Sequence, residues 1–213
     1  MSVNYNIGST AGRGRLLVVS APSGAGKGTV IGELRKLDPN IVPSISLTSR
    51  EPRAGETEGV HYFFVPKERF RQMADDGGFV EWDEYQGNYY GTSKAFIAGR
   101  LSEGKDIVFD ITIKGAFAIR EQRPDAVLVF LVPPSFTELE RRLRFRGTET
   151  EESLRGRLAE ARREVEFIER FDYCIVNDVA SEAAARLLAI ATAEKNRVRG
   201  ASDAAAIRDR ILG

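Results

Sequence analysis

Four short apolar runs, too continuous for half-exposed strands and too short for buried helices, restrict what this chain can fold into. They are LLVVS (Leu16–Ser20), DIVFDI (Asp106–Ile111), AVLVFLV (Ala126–Val132) and YCIVN (Tyr173–Asn177). Apolar, β-branched runs of this length without alternation belong to parallel strands covered on both faces. Between them lie amphipathic stretches that suit helices: roughly Lys27–Leu37, Thr92–Glu103, Lys114–Glu121, Ser135–Arg144, Thr150–Arg170 and Ser181–Arg199. SFTE (Ser135–Glu138) has the spacing of a capping box, and TETE (Thr148–Glu151) is a second candidate. The alternation predicts an α/β fold with three layers around a central parallel sheet.

One block departs from it. SISLT, VHYFFV, FVEWDEY and GNYYG are strand-rich, with one short helix at Lys67–Asp75. Residues 44–92 are therefore expected to form a small, partly antiparallel insert beside a core of 15–43 and 93–200, with room for a second ligand. RGTETEESLRGR joins two helices without apolar filling, which predicts a mobile lid at about 145–157. Residues 1–14, rich in Gly, Ser, Thr and Asn, read as a flexible lead. The tail, 201–213, reads as a short amphipathic helix that docks or mediates assembly, so a homo-oligomer stays open.

The 31 basic and 31 acidic side chains cancel, which argues against a dedicated nucleic-acid or membrane-surface binder. No apolar run approaches the roughly 20 residues of a membrane helix, and the N-terminus carries no apolar segment of the secretory type. A single cysteine, Cys174, excludes an internal disulfide and a zinc cluster, and a reducing, cytoplasmic setting is expected.

APSGAGKGT, Ala21 to Thr29, follows the first apolar run and opens a helix. It approximates the phosphate-cradling pattern G-x-x-x-x-G-K-[ST], with Ala21 at the first glycine and Gly28 at the hydroxyl. Glycines let backbone N–H groups turn inward, the helix start adds positive potential, and Lys27 reaches the β and γ phosphates of ATP. The plain alternative is a Gly/Pro/Ser turn. Because Gly28 offers no oxygen, Mg²⁺ would be held by ATP oxygens and waters. Asp110, ending a buried strand, is placed to orient those waters, and Thr29 is a lesser candidate.

Arg50 and Arg53 flank a proline close to Tyr62, and two guanidinium forks beside a phenol can grip a phosphate dianion. EWDEYQGNYYGTS then supplies Glu81, Tyr90 and Thr92. Taken singly, each is equally an exposed charged turn. His61 is expected to be structural or exposed, Trp82 to face away from Glu81 into packing, and Cys174 to fill a buried strand. Arg162, Arg163 and Arg170 read as a salt-laced helix face.

Together, SAPSGAGKG, TSREPRAGETEGVHYFF, GNYYGTS, LVPPS, RLRFRGTETEES and IVND resemble the guanylate kinase family in order and spacing, from about Leu16 to Arg197. The resemblance implies a P-loop NTPase core, a β-rich GMP-binding insert and a helical lid. It also implies reversible transfer of the ATP γ-phosphoryl group to GMP with Mg²⁺. By position, Ser46, Arg50, Arg53, Tyr62, Glu81, Tyr90 and Thr92 match the GMP-binding set. Ala21, Pro22, Ser23, Gly24, Ala25, Gly26, Lys27, Gly28 and Thr29 form the ATP loop, and Asn177 matches a residue near the adenine. Arg142, Arg146 and Arg157 would close on the phosphates from the lid side. The family usually continues its strand as D-I-D, whereas this chain has Asp110, Ile111 and Thr112. A related sugar-phosphate kinase and a catalytically silent binding module are the rival readings.

Overall fold

A computed structural model describes residues 14–145, 150–198 and 201–212. The lead up to residue 13, Arg146, Gly147 and the start of the TETE spacing lie outside the described residues. The chain runs β1 (Leu16–Ser20), α1 (Lys27–Leu37), β2 (Ile41–Pro43), β3 (Leu47–Thr48), β4 (Phe63–Phe64), α2 (Lys67–Asp75), β5 (Phe79–Tyr85) and β6 (Asn88–Ser93). It continues through α3 (Lys94–Ser102), β7 (Asp106–Asp110), α4 (Ile113–Gln122), β8 (Val127–Val132), α5 (Phe136–Phe145) and α6 (Glu151–Val165). Then follow β9 (Tyr173–Val176), α7 (Ala180–Lys195) and α8 (Ala201–Leu212).

The apolar runs become parallel strands in the order β2-β7-β1-β8-β9. β1 lies in the middle and buries both faces. Leu17 and Val19 meet Val30 and Leu34 of α1 and Ala184 and Leu187 of α7. Leu16 and Val18 meet Ile97 and Leu101 of α3 and Ala116 and Ile119 of α4. The fold is thus α/β, with helices on either side of one parallel sheet. Each buried Leu, Ile or Val among these side chains contributes about 1.5–3 kcal/mol.

Two details differ from expectation. β2 is a fifth strand, paired in parallel with β7; at three residues it is too short to show a pattern. β9 is an edge strand rather than a fully covered one. Ile175 joins the cluster with α7, whereas Cys174 and Val176 are exposed at the margin of the sheet.

A second sheet, ordered β4-β3-β6-β5, mixes one parallel with two antiparallel pairings. SISLT and VHYFFV contract to the two residues each of β3 and β4, and flanking Ser46 and Tyr62 line a cavity. The β5–β6 hairpin turns on Gln86 and Gly87, both left-handed at φ 49° and 74°, the turn that matches the twist of paired strands. Phe70 of α2 stacks on Phe79 at 4.4 Å and on Tyr89 at 5.3 Å, with Leu47 beside them. Trp82 touches this cluster edge-on but is half exposed.

Several contacts tie the two sheets, and Val80 of β5 is buried in the central sheet's own cluster. Gln122 Nε2 donates to the Val80 carbonyl at 2.9 Å, and Lys114 pairs with Asp83 at 2.9 Å. β6 runs straight into α3, whose first turn is capped by Ser93 Oγ accepting from the Phe96 N–H. Ser135 caps α5 as its spacing suggests, accepting from the Glu138 N–H at 3.0 Å, and Thr150 caps α6. Two of the arginines expected in a salt-laced face lie over rings instead: Arg162 is 4.1 Å from the Phe136 centroid and Arg170 is 3.7 Å from that of Phe117. Aromatic faces attract guanidinium ions, and the sequence spacing concealed them.

Phe70→Ala should remove about 3–5 kcal/mol of stability in urea unfolding; a loss below about 1 kcal/mol would show that the small sheet is held by something else.

Candidate functional site

The segment Ala21–Thr29 leaves the centre of the sheet and curls back to start α1. Gly24 and Gly26 are left-handed, at φ 92° and 89°, and both are closely approached. A Cβ on Gly24 would lie 2.7 Å from Leu143 Cδ2, and one on Gly26 would lie 2.6 Å from Asn177 Nδ2. Only glycine fits either place. α1 starts without a side-chain cap and without acidic residues in its first turn, so its terminal N–H groups and positive potential are left for an anion.

Lys27 Nζ sits 2.9 Å from Asp110 Oδ1 and donates to the Ile111 carbonyl at 2.7 Å. A Cβ at Gly28 would meet only Asp110 Oδ2, at an ordinary 3.8 Å. Buried Asn177 donates from Nδ2 to the Ala25 carbonyl at 2.7 Å, while its Oδ1 has no hydrogen-bond partner among the described residues. Arg142 Nη1 donates to the Asn177 carbonyl at 3.0 Å, and its Nε pairs with Glu138 at 2.7 Å. Arg157 Nη1 reaches Ser23 Oγ at 3.4 Å. Gly24, Gly26, Thr29, Arg142, Asn177 and Ala180 line a cavity of about 310 Å³ beside the loop. Arg141 also lines it, although most of its side chain is exposed and paired with Glu138.

A larger cavity, about 510 Å³, opens between the two sheets. Ser46, Arg50, Arg53, Tyr62, Glu81, Tyr90 and Thr92 all line it, and so do Asp110 and Thr112 from the central sheet. Arg50 makes a two-pronged pair with Glu56, at 2.8 and 3.0 Å, and stands 5.5 Å over the Tyr62 ring. Glu56 also accepts the Arg53 backbone N–H at 2.7 Å. The Arg50 guanidinium, helped by the Arg53 amide, pulls the Glu56 carboxyl down to about 2. Glu56 escaped sequence reasoning; its only signal was an acid six residues beyond Arg50.

Glu81 is held by the Thr92 hydroxyl, which donates to Oε1 at 2.7 Å. Burial raises its pKa above the ordinary carboxylate range, with the Thr92 bond working in the opposite direction. Thr112 caps α4 by accepting the Gly115 N–H at 3.2 Å, so one lone pair of its oxygen is already engaged. His61 is exposed and accepts the Thr57 N–H at 3.0 Å through Nδ1. Arg146 lies outside the described residues. Among the described residues, no group of three or more His, Cys, Asp and Glu side chains could hold a metal, and no helix is long and apolar enough to cross a membrane.

The guanylate kinase family model matches residues 13–194. A guanylate kinase of Halalkalibacterium halodurans is 46% identical over 182 residues, covering 85% of this chain and 89% of that protein. One from a Synechococcus strain is 45% identical, covering 84% and 83%. The crystal structure of guanylate kinase from Anaplasma phagocytophilum superposes with a TM-score of 0.68 at 34% identity, covering 88% of this chain and 89% of that one. Glycine-rich loop, arginine-lined cavity and overall likeness thus agree, and the chain belongs to the guanylate kinase family.

Proposed function

We propose that this chain transfers the γ-phosphoryl group of ATP to GMP, reversibly, giving ADP and GDP in cytoplasmic purine nucleotide metabolism. One observation carries the reading: Asp110, bonded to Lys27 of the phosphate loop, also lines the cavity that holds Arg53 and Tyr62. A donor phosphate on the loop and an acceptor phosphate in that cavity would therefore meet at Asp110.

In this mechanism an oxygen of the GMP phosphate attacks the γ-phosphorus of ATP, and the bond from that phosphorus to the β-phosphate oxygen breaks. No base is required, because a phosphate monoester with a second pKa near ~6 is mostly ionised at neutral pH. The protein's work is to align two repelling anions and offset the charge that spreads over the transferring oxygens. Lys27 and the loop N–H groups hold the donor. Arg50, Arg53, Tyr62 and Tyr90 hold the acceptor phosphate, while Arg142, Arg146 and Arg157 approach from the lid side. Asn177, whose buried oxygen has no hydrogen-bond partner among the described residues, suits the amine of adenine.

The donor set fits a Mg²⁺ ion carried in on ATP: Asp110 offers a half-exposed carboxylate across from Gly28, and Gly28 has no oxygen to add. When bound, the ion would offset charge on the β and γ phosphates, with Asp110 holding its waters. Glu81 reads the base. Guanine presents N1–H and an amine side by side to a carboxylate, whereas adenine presents an acceptor at N1, an unmet contact of about 1–3 kcal/mol or more. That Lys27 pairs with Asp110 and the candidate acceptor residues line one cavity supports this reading over a silent binding module.

A coupled assay of ADP release with ATP, Mg²⁺ and GMP, AMP or dTMP in turn should show strong preference for GMP; comparable rates with AMP would refute the assignment. Glu81→Gln, which replaces an acceptor oxygen by an amide, should raise KM for GMP at least about tenfold and leave KM for ATP nearly unchanged. As pH falls through the raised Glu81 pKa, the acid form loses an acceptor and KM for GMP should rise; that part of the profile should vanish in Glu81→Gln. Gly28→Ser has space beside Asp110, and turnover should stay within about threefold of the parent if the metal is held mainly by ATP and water.

A further inference from the structure

In the phosphotransfer reading Glu81, beside Thr92, takes the base of GMP and Tyr90 takes its phosphate, and the β5–β6 hairpin sets the spacing between them. Glu81 stands opposite Thr92 in the strand register, and Asp83 stands opposite Tyr90. Residues two apart on a strand share a face and lie about 6.8 Å from each other. Glu81 and Asp83 both line the cavity between the sheets, as Tyr90 and Thr92 do. Asp83 is therefore one step from the base reader in the direction of the phosphate.

The Asp83 carboxylate is held at that step. Its Oδ2 accepts a hydrogen bond from Lys114 Nζ at 2.9 Å, and its Oδ1 accepts the Glu84 N–H at 3.0 Å. Lys114 belongs to the first turn of α4, two residues after Thr112, which lines the same cavity. The Lys114 bond holds the Asp83 carboxyl below its ordinary pKa, so the group is ionised at neutral pH. The ammonium also offsets that charge toward an incoming dianion. More than half of the Asp83 side chain is exposed, and its two oxygens have lone pairs left for another donor. An exposed ion pair of this kind adds little to stability, so a reason for the carboxylate has to be sought in the cavity.

The shape of the nucleotide says what lies there. Guanine carries its exocyclic amine on the minor-groove edge, and the ribose 2′-hydroxyl lies along the same edge. With N1–H and the amine placed on Glu81, the next donor along that edge toward the phosphate is the 2′ O–H. We propose that Asp83 accepts a hydrogen bond from the 2′-hydroxyl of the acceptor nucleotide and so separates GMP from dGMP. A carboxylate is an acceptor only, the complement of that donor, and a site built to bond a hydroxyl disfavours the analogue that lacks it. This rests on the phosphotransfer reading above.

The test measures kcat/KM for GMP and for dGMP, with ATP and Mg²⁺, in the full-length parent, Asp83→Ala and Lys114→Met. The parent should favour GMP about tenfold, the loss expected for one hydrogen bond to a charged group at a partly exposed site. Asp83→Ala should lose about tenfold with GMP, stay within about twofold with dGMP, and leave KM for ATP unchanged. Lys114→Met keeps the carboxylate but cuts its tie to α4, and it should still favour GMP at least about fivefold. A parent that uses both acceptors equally would overturn the proposal. So would an equal loss with both acceptors in Asp83→Ala, or a preference that vanishes in Lys114→Met as fully as in Asp83→Ala. Should the alanine variant fail to fold, Asp83→Val, a strand-forming residue without an acceptor, is read by the same ratio. A parent that phosphorylates neither GMP nor dGMP would refute the phosphotransfer reading instead.

Discussion

The ammonium of Lys27 is fixed between the Asp110 carboxylate at 2.9 Å and the Ile111 carbonyl at 2.7 Å, and this contact depends on the sheet being parallel. β1 and β7 lie side by side in register, with Val19 opposite Asp110. Parallel strands end on the same edge of the sheet, where ligands of open α/β folds collect. The loop leaving β1 and the acid ending β7 are therefore brought together although 83 positions separate Lys27 from Asp110. Reversing either strand would send the two groups to opposite edges and leave no place where two anions could meet.

Charge around the larger cavity is managed in advance of any ligand. Arg50 would otherwise be a mobile cation on a long stem, with much rotamer freedom to lose when an anion arrives. Glu56 holds it with two hydrogen bonds, stays ionised down to a pKa of about 2, and takes a third bond from the Arg53 backbone. Geometry is thus set before binding, at the cost of placing a carboxylate near an incoming dianion. Arg53, with an exposed side chain, keeps more freedom.

The central sheet was legible because its strands are buried on both faces and so carry unbroken apolar runs. Thus β1 begins and ends where its sequence says, at Leu16 and Ser20. β9 misled because edge and interior strands of parallel sheets share composition; Cys174 looked buried for no reason but its neighbours. The cavity residues were legible through types that occur together for phosphate binding, as with Arg50, Arg53 and Tyr62. What stayed hidden were contacts between distant segments. Asn177 bonding the Ala25 carbonyl, Arg170 lying on Phe117, and Arg162 lying on Phe136 depend on how elements dock, which neither period nor spacing reports.

The small sheet stands on strands of two residues, β3 and β4, a hairpin and one aromatic stack, and it joins the larger one through Val80, Gln122 and the Lys114–Asp83 pair. Its stack of Phe70, Phe79 and Tyr89 is separate from the clusters that bury the central strands, where the loop and Lys27 are anchored. Separate aromatic and aliphatic clusters of this kind let side chains around the acceptor cavity be exchanged without repacking the strands under the phosphate loop. Modularity of specificity, on this view, follows from how the apolar side chains are divided between two sheets.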